Sequence, residues 1–116
     1  MWVEALRANG KPAVKRRVDE LLAMDDICWC DMVRLELWNG ARGEKERRSL
    51  HYLETVVKRL ETDEQVWTES FELARRARAG GMTLSAPDVV IVACGKRHGV
   101  SIESIDSTME KLIKFA

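Results

Sequence analysis

No excess of one charge sign marks this chain: 19 Lys and Arg stand against 19 Asp and Glu in 116 residues, for a formal net charge of zero. A sequence-independent grip on nucleic acid rests on counterion release by surplus cations, so the whole-chain charge argues against that mode and leaves only a local basic patch open. Long apolar runs are missing too. The longest nearly apolar stretch, Val89 to Cys94, is far below the ~18 residues that span a bilayer. Met1-Trp2-Val3-Glu4-Ala5-Leu6-Arg7 has no basic flank leading into an apolar signal region, so the expectation is a cytoplasmic protein with no membrane partner. At this length, against a prior of ~150 residues per domain, one domain over residues 1–116 is predicted. Its 46% hydrophobic content is enough to build a core, unlike the composition of a disordered tail.

Cysteine and histidine are scarce, and both scarcities narrow the chemistry. Cys28 and Cys30 are two apart and Cys94 lies in an apolar run, whereas a zinc site needs four ligands, usually in C-x2-C pairs. Reduced, buried thiols are expected instead. His51 in a long helical pattern and His98 at a helix end read as a surface residue and a dipole cap. Nothing supports a Ser-His-Asp or Cys-His site, a P-loop or a dinucleotide fingerprint.

What the chain does have is helical periodicity between sparse Gly and Pro breakpoints. Trp2 to Ala8 reads as a short helix. Pro12 to Met24 reads as a second, with Val14, Val18, Leu21 and Leu22 on one face. Ile27-Cys28-Trp29-Cys30 is short and apolar and reads as a buried strand. Asp31 is placed to cap a helix closed at Gly40, and Glu44 to Leu60 predicts the longest helix, with Leu50, Leu53, Val57 and Leu60 inward. A short edge strand is expected at Gln65-Val66-Trp67, then a helix from about Glu69 to Ala79. Ser85-Ala86-Pro87-Asp88 opens an apolar helix running to His98 and stopped by Gly99. Val100 to Ile105 alternates as a strand, and Ser107 to Phe115 closes the pattern as a helix. The fold class is α/β, helix-rich, with a small parallel sheet flanked by helices and ligand groups beyond the carboxyl ends of its strands.

Three acids stand at the edges of apolar segments. Glu36 lies among Met32, Val33 and Leu37, where a carboxylate needs a partner or a metal; pairing at the rim with Arg34, Arg42 or another helix is its plainer role. Asp88 precedes Val89-Val90-Ile91-Val92-Ala93, and its plainer role is to serve the helix N-terminus. Asp106 follows the expected strand, where helix capping is again the alternative, a duty Ser107 can equally perform. Together the three can converge on one crevice, and clustered carboxylates there are stable only with a hard cation or shared protons. Magnesium or manganese fits, and such ions activate water and clamp a phosphodiester without a nucleophilic side chain.

These residues resemble the PIN-domain nucleases, in particular the VapC-type toxins of bacterial and archaeal toxin–antitoxin pairs. Ile27-Cys28-Trp29-Cys30 with Val33-Arg34-Leu35-Glu36-Leu37-Trp38-Asn39-Gly40-Ala41-Arg42 is similar to the strand and helix that carry the family's second acid. Leu84-Ser85-Ala86-Pro87-Asp88-Val89-Val90-Ile91-Val92-Ala93 is similar to the segment of the third, and Ile105-Asp106 to the position of the fourth. The resemblance implies an endoribonuclease dependent on Mg2+ or Mn2+, with Glu36, Asp88 and Asp106 as metal-holding catalytic acids and an activated water attacking RNA. It also implies a cognate antitoxin that blocks the site, and a homodimer. Arg42, Arg47 and Arg48, or Arg75, Arg76 and Arg78, could meet the RNA backbone, although solvated helix faces account for them as well. Trp2, Trp29, Trp38 and Trp67 read as core or interface residues rather than stacking platforms.

Two departures bear on activity. Family members open with a short apolar strand ending in Asp-Thr-Ser, and this chain starts inside the segment that follows it, so the resemblance implies that the first, central strand and the first catalytic aspartate are missing. Glu4 sits beyond that motif and is no replacement. After Asp106 the family tends to have another Asp and an aromatic, where this chain has Ser107-Thr108-Met109. Buried backbone groups left unpaired beside a missing strand cost ~1–3 kcal/mol each. Lower stability, weakened metal binding and little or no cleavage by this polypeptide are therefore expected. A start codon placed too late and an excised fragment are favoured over a natural remnant. The alternatives are a degenerate, non-catalytic PIN module that binds an antitoxin or self-associates, and a helical interaction protein unrelated to nucleases.

Overall fold

The computed structural model describes residues 12–24, 27–102 and 107–116. The expected helix over Trp2 to Ala8, the end of the expected strand after Ile102, and Asp106 lie outside the described residues. Among the described residues the fold is α/β and helix-rich, with six helices and a small parallel sheet of two strands. None of these helices is long and apolar enough to cross a membrane. The chain divides into two compact units, one up to Arg59 and one from Leu60.

Among the described residues the first unit opens with α1 (Pro12–Ala23), where Pro sits at a position whose missing N–H costs nothing, and Val14 and Val18, one turn apart, are buried. It continues through β1 (Cys28–Cys30), α2 (Asp31–Gly40) and α3 (Glu44–Val56) into β2 (Lys58–Leu60), whose last residue begins the second unit. The two strands pair with each other. Trp29, Leu37, Leu50, Leu53 and Val57 form one core cluster, with Leu22, Ile27, Val33, Trp38 and Ala41 packed against it. His51 is exposed, as expected, and its ring meets Trp38 edge-on at 4.9 Å between centroids.

In the second unit, α4 (Glu64–Ala79), α5 (Ala86–Arg97) and α6 (Ser107–Phe115) surround Leu73, Ala77, Val89, Val92, Ala93, Met109 and Leu112. Both α4 and α5 end in the same way. Gly81 and Gly99 take φ of 84° and 66°, a region that L side chains enter only with strain. The following amides close the turn: Met82 N–H donates to Ala77 O at 2.9 Å, and Val100 N–H to Gly95 O at 2.8 Å. His98 is the C-cap of α5, with Nε2 2.8 Å from the Glu61 carbonyl. No disulfide joins the cysteines; Cys30 and Cys94 are buried and Cys28 half-buried.

Several expectations need correction. The helix predicted over Glu44 to Leu60 stops at Val56, because the consecutive β-branched Val56 and Val57 favour extended backbone and the next three residues find a strand partner in β1. All four residues read as inward are nevertheless buried. Gln65-Val66-Trp67 is not a strand. It lies in the first turn of α4, whose N-cap Asp63 accepts the Val66 N–H at 2.9 Å. Asp31 does not cap α2: Cys30 holds the N-cap position without a side-chain bond, and Asp31 is the first helical residue. Gly40 lies within α2 and the chain leaves through an extended Ala41, so no left-handed glycine closes that helix. Val100, Ser101 and Ile102 belong to no described strand.

Candidate active site

Glu36 stands on α2 in the first unit and is exposed, one residue before the buried Leu37. Of the partners expected for it, Arg34 is committed elsewhere. Its Nε donates to Glu54 Oε1 at 3.1 Å, another guanidinium nitrogen lies 2.8 Å from Glu54 Oε2, and a third donates to Asp31 Oδ1 at 2.8 Å.

Asp31 is the residue whose role the sequence misassigned. It begins α2 at the carboxyl end of β1, and Arg59 of β2 grips both its oxygens at 2.7 Å. These Arg59 hydrogen bonds lower the Asp31 carboxyl from 3.8 to about 2; partial burial opposes them and Arg34 reinforces them. Burial raises Glu54, but the Arg34 fork and the Trp38 indole, donating at 3.1 Å, outweigh it and hold the carboxyl below its ordinary range. Glu54 first, and Asp31 after it, keep Arg34 charged. The result is a four-charge chain, Arg59–Asp31–Arg34–Glu54, that ties the start of α2 to α3 and β2. Alternating charges with bidentate contacts resist solvent better than single surface pairs. Glu36 lies two residues beyond Arg34, on the segment this chain fixes.

Asp88 lies in the first turn of α5 in the second unit. The capping hydroxyl is that of Ser85, which accepts the Asp88 backbone N–H at 3.4 Å. The Asp88 carboxylate itself is half-buried ahead of the buried Val89 and Val90, and it has no partner among the described residues. An acid in the first helical turn complements the dipole, yet leaves most of its acceptor capacity open. Asp106, the third predicted acid, lies outside the described residues. Among the described residues no group of three or more His, Cys, Asp or Glu could hold a metal ion.

The basic residues read as possible RNA contacts lie largely on solvated faces. Arg47 pairs with Glu44 at 3.0 Å and Arg75 with Glu72 at 2.9 Å, both exposed pairs one turn apart. Arg76 lies over the Phe115 ring at 5.9 Å. Trp29 is buried and Trp38 half-buried, as core residues, whereas Trp67 is 40% exposed on α4.

Comparison with known proteins places this geometry in context. The PIN domain family model matches residues 1–113. Ribonuclease VapC21 of Mycobacterium tuberculosis, in strains CDC 1551 / Oshkosh and ATCC 25618 / H37Rv alike, is 25% identical over 104 residues, covering 87% of this chain and 75% of that protein. A crystal structure of FitAcB from Neisseria gonorrhoeae superposes with a TM-score of 0.67 over 96% of this chain and 86% of that one. At 20% identity, this last likeness concerns the fold.

Proposed function

Because the chain belongs to the PIN-domain family, matched across residues 1–113, we propose that it is a divalent-metal-dependent endoribonuclease of a toxin–antitoxin pair. Its likeness to ribonuclease VapC21 supports the ribonuclease class. The family match runs across the division at Arg59 and Leu60, which supports treating both units as parts of one PIN domain. In this reading Glu36, Asp88 and Asp106 are the catalytic acids and would hold Mg2+ or Mn2+, hard cations that take oxygen ligands. The ion would supply charge neutralisation at the phosphodiester and activation of water.

The observation that carries the proposal is Asp88. Capping of α5 falls to Ser85, so the half-buried Asp88 carboxylate is left with its acceptor capacity unspent at the mouth of an apolar helix. Such a group is suited to a cation. The Arg59–Asp31–Arg34–Glu54 chain keeps α2 in one geometry, so that Glu36 is presented without local reorganisation. Asp106 enters on the sequence resemblance. The partners in this reading are RNA, an antitoxin that blocks the acids, and a second copy of the chain, all in the cytoplasm.

Thermal unfolding with and without cation tests the proposal. At ~10 times Kd, Mn2+ or Mg2+ should add about 1.4 kcal/mol, a rise in Tm of roughly 5 °C. Asp88→Asn and Glu36→Gln should each remove most of that rise. Any RNA cleavage should vanish in chelator and in Asp88→Asn. A wild-type Tm indifferent to both cations, or cleavage that persists in chelator, contradicts it.

A further inference from the structure

Helix α2 carries Glu36, and little in its own sequence fixes that helix. It has 10 residues, of which Leu37 alone is buried, with Val33 and Trp38 half-buried. No side chain caps its N-terminus, and the chain leaves it through the extended Ala41. Apolar burial has no preferred direction, so one buried leucine does little to fix the rotation of a short helix about its axis. Rotation is what a metal ligand tolerates least. Side chains stand ~5–6 Å from a helix axis, so a turn of ~10° moves the Glu36 carboxylate by about 1 Å, against the ~0.5 Å within which a binding group must be held.

Directional bonds supply what packing lacks. Arg34 and Glu36 lie two positions apart, about 200° around the helix, so they flank the stripe of Val33 and Leu37 on opposite sides. On the Arg34 side, α2 converges on Glu54 of α3. Arg34 Nε and the Trp38 indole each donate to Glu54 Oε1 at 3.1 Å, and a second Arg34 nitrogen lies 2.8 Å from Oε2. The remaining guanidinium nitrogen donates to Asp31 at 2.8 Å, one turn back on α2. A planar fork on a carboxylate of another helix fixes orientation as well as distance. Glu54 is itself half-buried, next to the buried Leu53 of the core. Without Arg34, Glu54 would keep only the indole and Asp31 only Arg59.

We propose that Arg34 is a positioning residue: its fork on Glu54 sets the rotation of α2 and so the direction in which Glu36 meets a divalent cation. This rests on Glu36 as a metal ligand, as proposed above. Arg34 acts through the helix and does not touch the ion. Charge alone predicts the opposite effect. A guanidinium near a metal ligand repels the cation, so its removal should tighten binding if electrostatics decides and weaken binding if position decides.

Mn2+ titration of the whole chain, followed by electron paramagnetic resonance, tests the proposal, with circular dichroism to establish that each variant is folded. Arg34→Met should weaken Mn2+ binding at least ~10-fold, the effect of removing a group that orients a metal ligand. Arg34→Lys keeps the charge without the fork and should weaken binding by at least roughly 3-fold; it carries the same test should Arg34→Met not fold. In a Glu36→Gln background, Arg34→Met should change Mn2+ affinity by less than ~2-fold, because its effect passes through Glu36. Without metal, the α2 amides should exchange hydrogen faster in Arg34→Lys than in wild type, with those of α4 unchanged. Unchanged or tighter Mn2+ binding in folded Arg34→Met, wild-type affinity and exchange in Arg34→Lys, or an equal loss with and without Glu36 overturns the role of Arg34 and leaves the metal centre standing. A wild-type chain that binds no Mn2+ overturns both.

Discussion

Replacing Asp31 by Asn should cost stability at neutral pH and almost nothing in strong acid. The carboxylate is held by both oxygens on Arg59 and by one on Arg34, which lowers it from 3.8 to about 2. At ~1.36 kcal/mol per pKa unit, the fall from 3.8 to about 2 corresponds to roughly 2 kcal/mol in favour of the folded state when fully counted. The Asp31 side chain is 37% exposed and that of Arg59 53%, so solvent screening reduces this to about 1 kcal/mol. Because folding lowers this carboxyl, its contribution is present above pH 3.8 and is lost as pH falls towards about 2, where the folded form also binds a proton. Urea unfolding of wild type and Asp31→Asn at pH 7 and near pH 2 measures the difference directly. A double-mutant cycle with Arg59→Met should return a coupling of ~0.5–1 kcal/mol at pH 7. A penalty of equal size at both pH values, or none at pH 7, would refute the charge-based account and leave Asp31 a packing residue.

Two local features give further predictions. Gly99→Ala forces a Cβ into φ 66° and should cost about 1 kcal/mol, with Gly99→Asn milder, as read from thermal midpoints. Asp63→Ala leaves the Val66 amide without its acceptor and should cost ~1 kcal/mol, largely recovered by Asp63→Ser; urea unfolding of the three chains checks both signs.

What was legible in the sequence was what local chemistry decides. The apolar helix beginning after Ser85 was readable because its cap and its terminal Gly99 are both local signals, and the final helix from Ser107 to Phe115 matches its predicted bounds. The errors fall where a distant partner decides. Lys58 to Leu60 continues a helical pattern and becomes a strand only because β1 lies beside it. Gln-Val-Trp at 65–67 alternates over three residues, too few to separate a strand from the first turn of a capped helix. Asp31 looked like a cap by its position, but the residue that claims it is Arg59, 28 positions away, and no spacing rule reaches that far. Asp88 stands at the start of an apolar helix, as its local sequence indicates. Whether it or Ser85 did the capping could be decided only by geometry. Helical spacing sets Glu36 beside an apolar face, and its exposure on α2 shows why spacing alone cannot separate the rim from the core.

Direct binding of Mn2+ tests the central claim most closely. Free Mn2+ gives a sharp electron paramagnetic resonance signal that fades on binding. Titrated against wild type, Glu36→Gln, Asp88→Asn and Asp106→Asn, the account predicts saturable loss of signal with wild type, weakened at least ~10-fold by each substitution. Binding that all three variants retain at wild-type strength, or no binding by the wild-type chain, would contradict the assignment of these acids as the metal-holding centre.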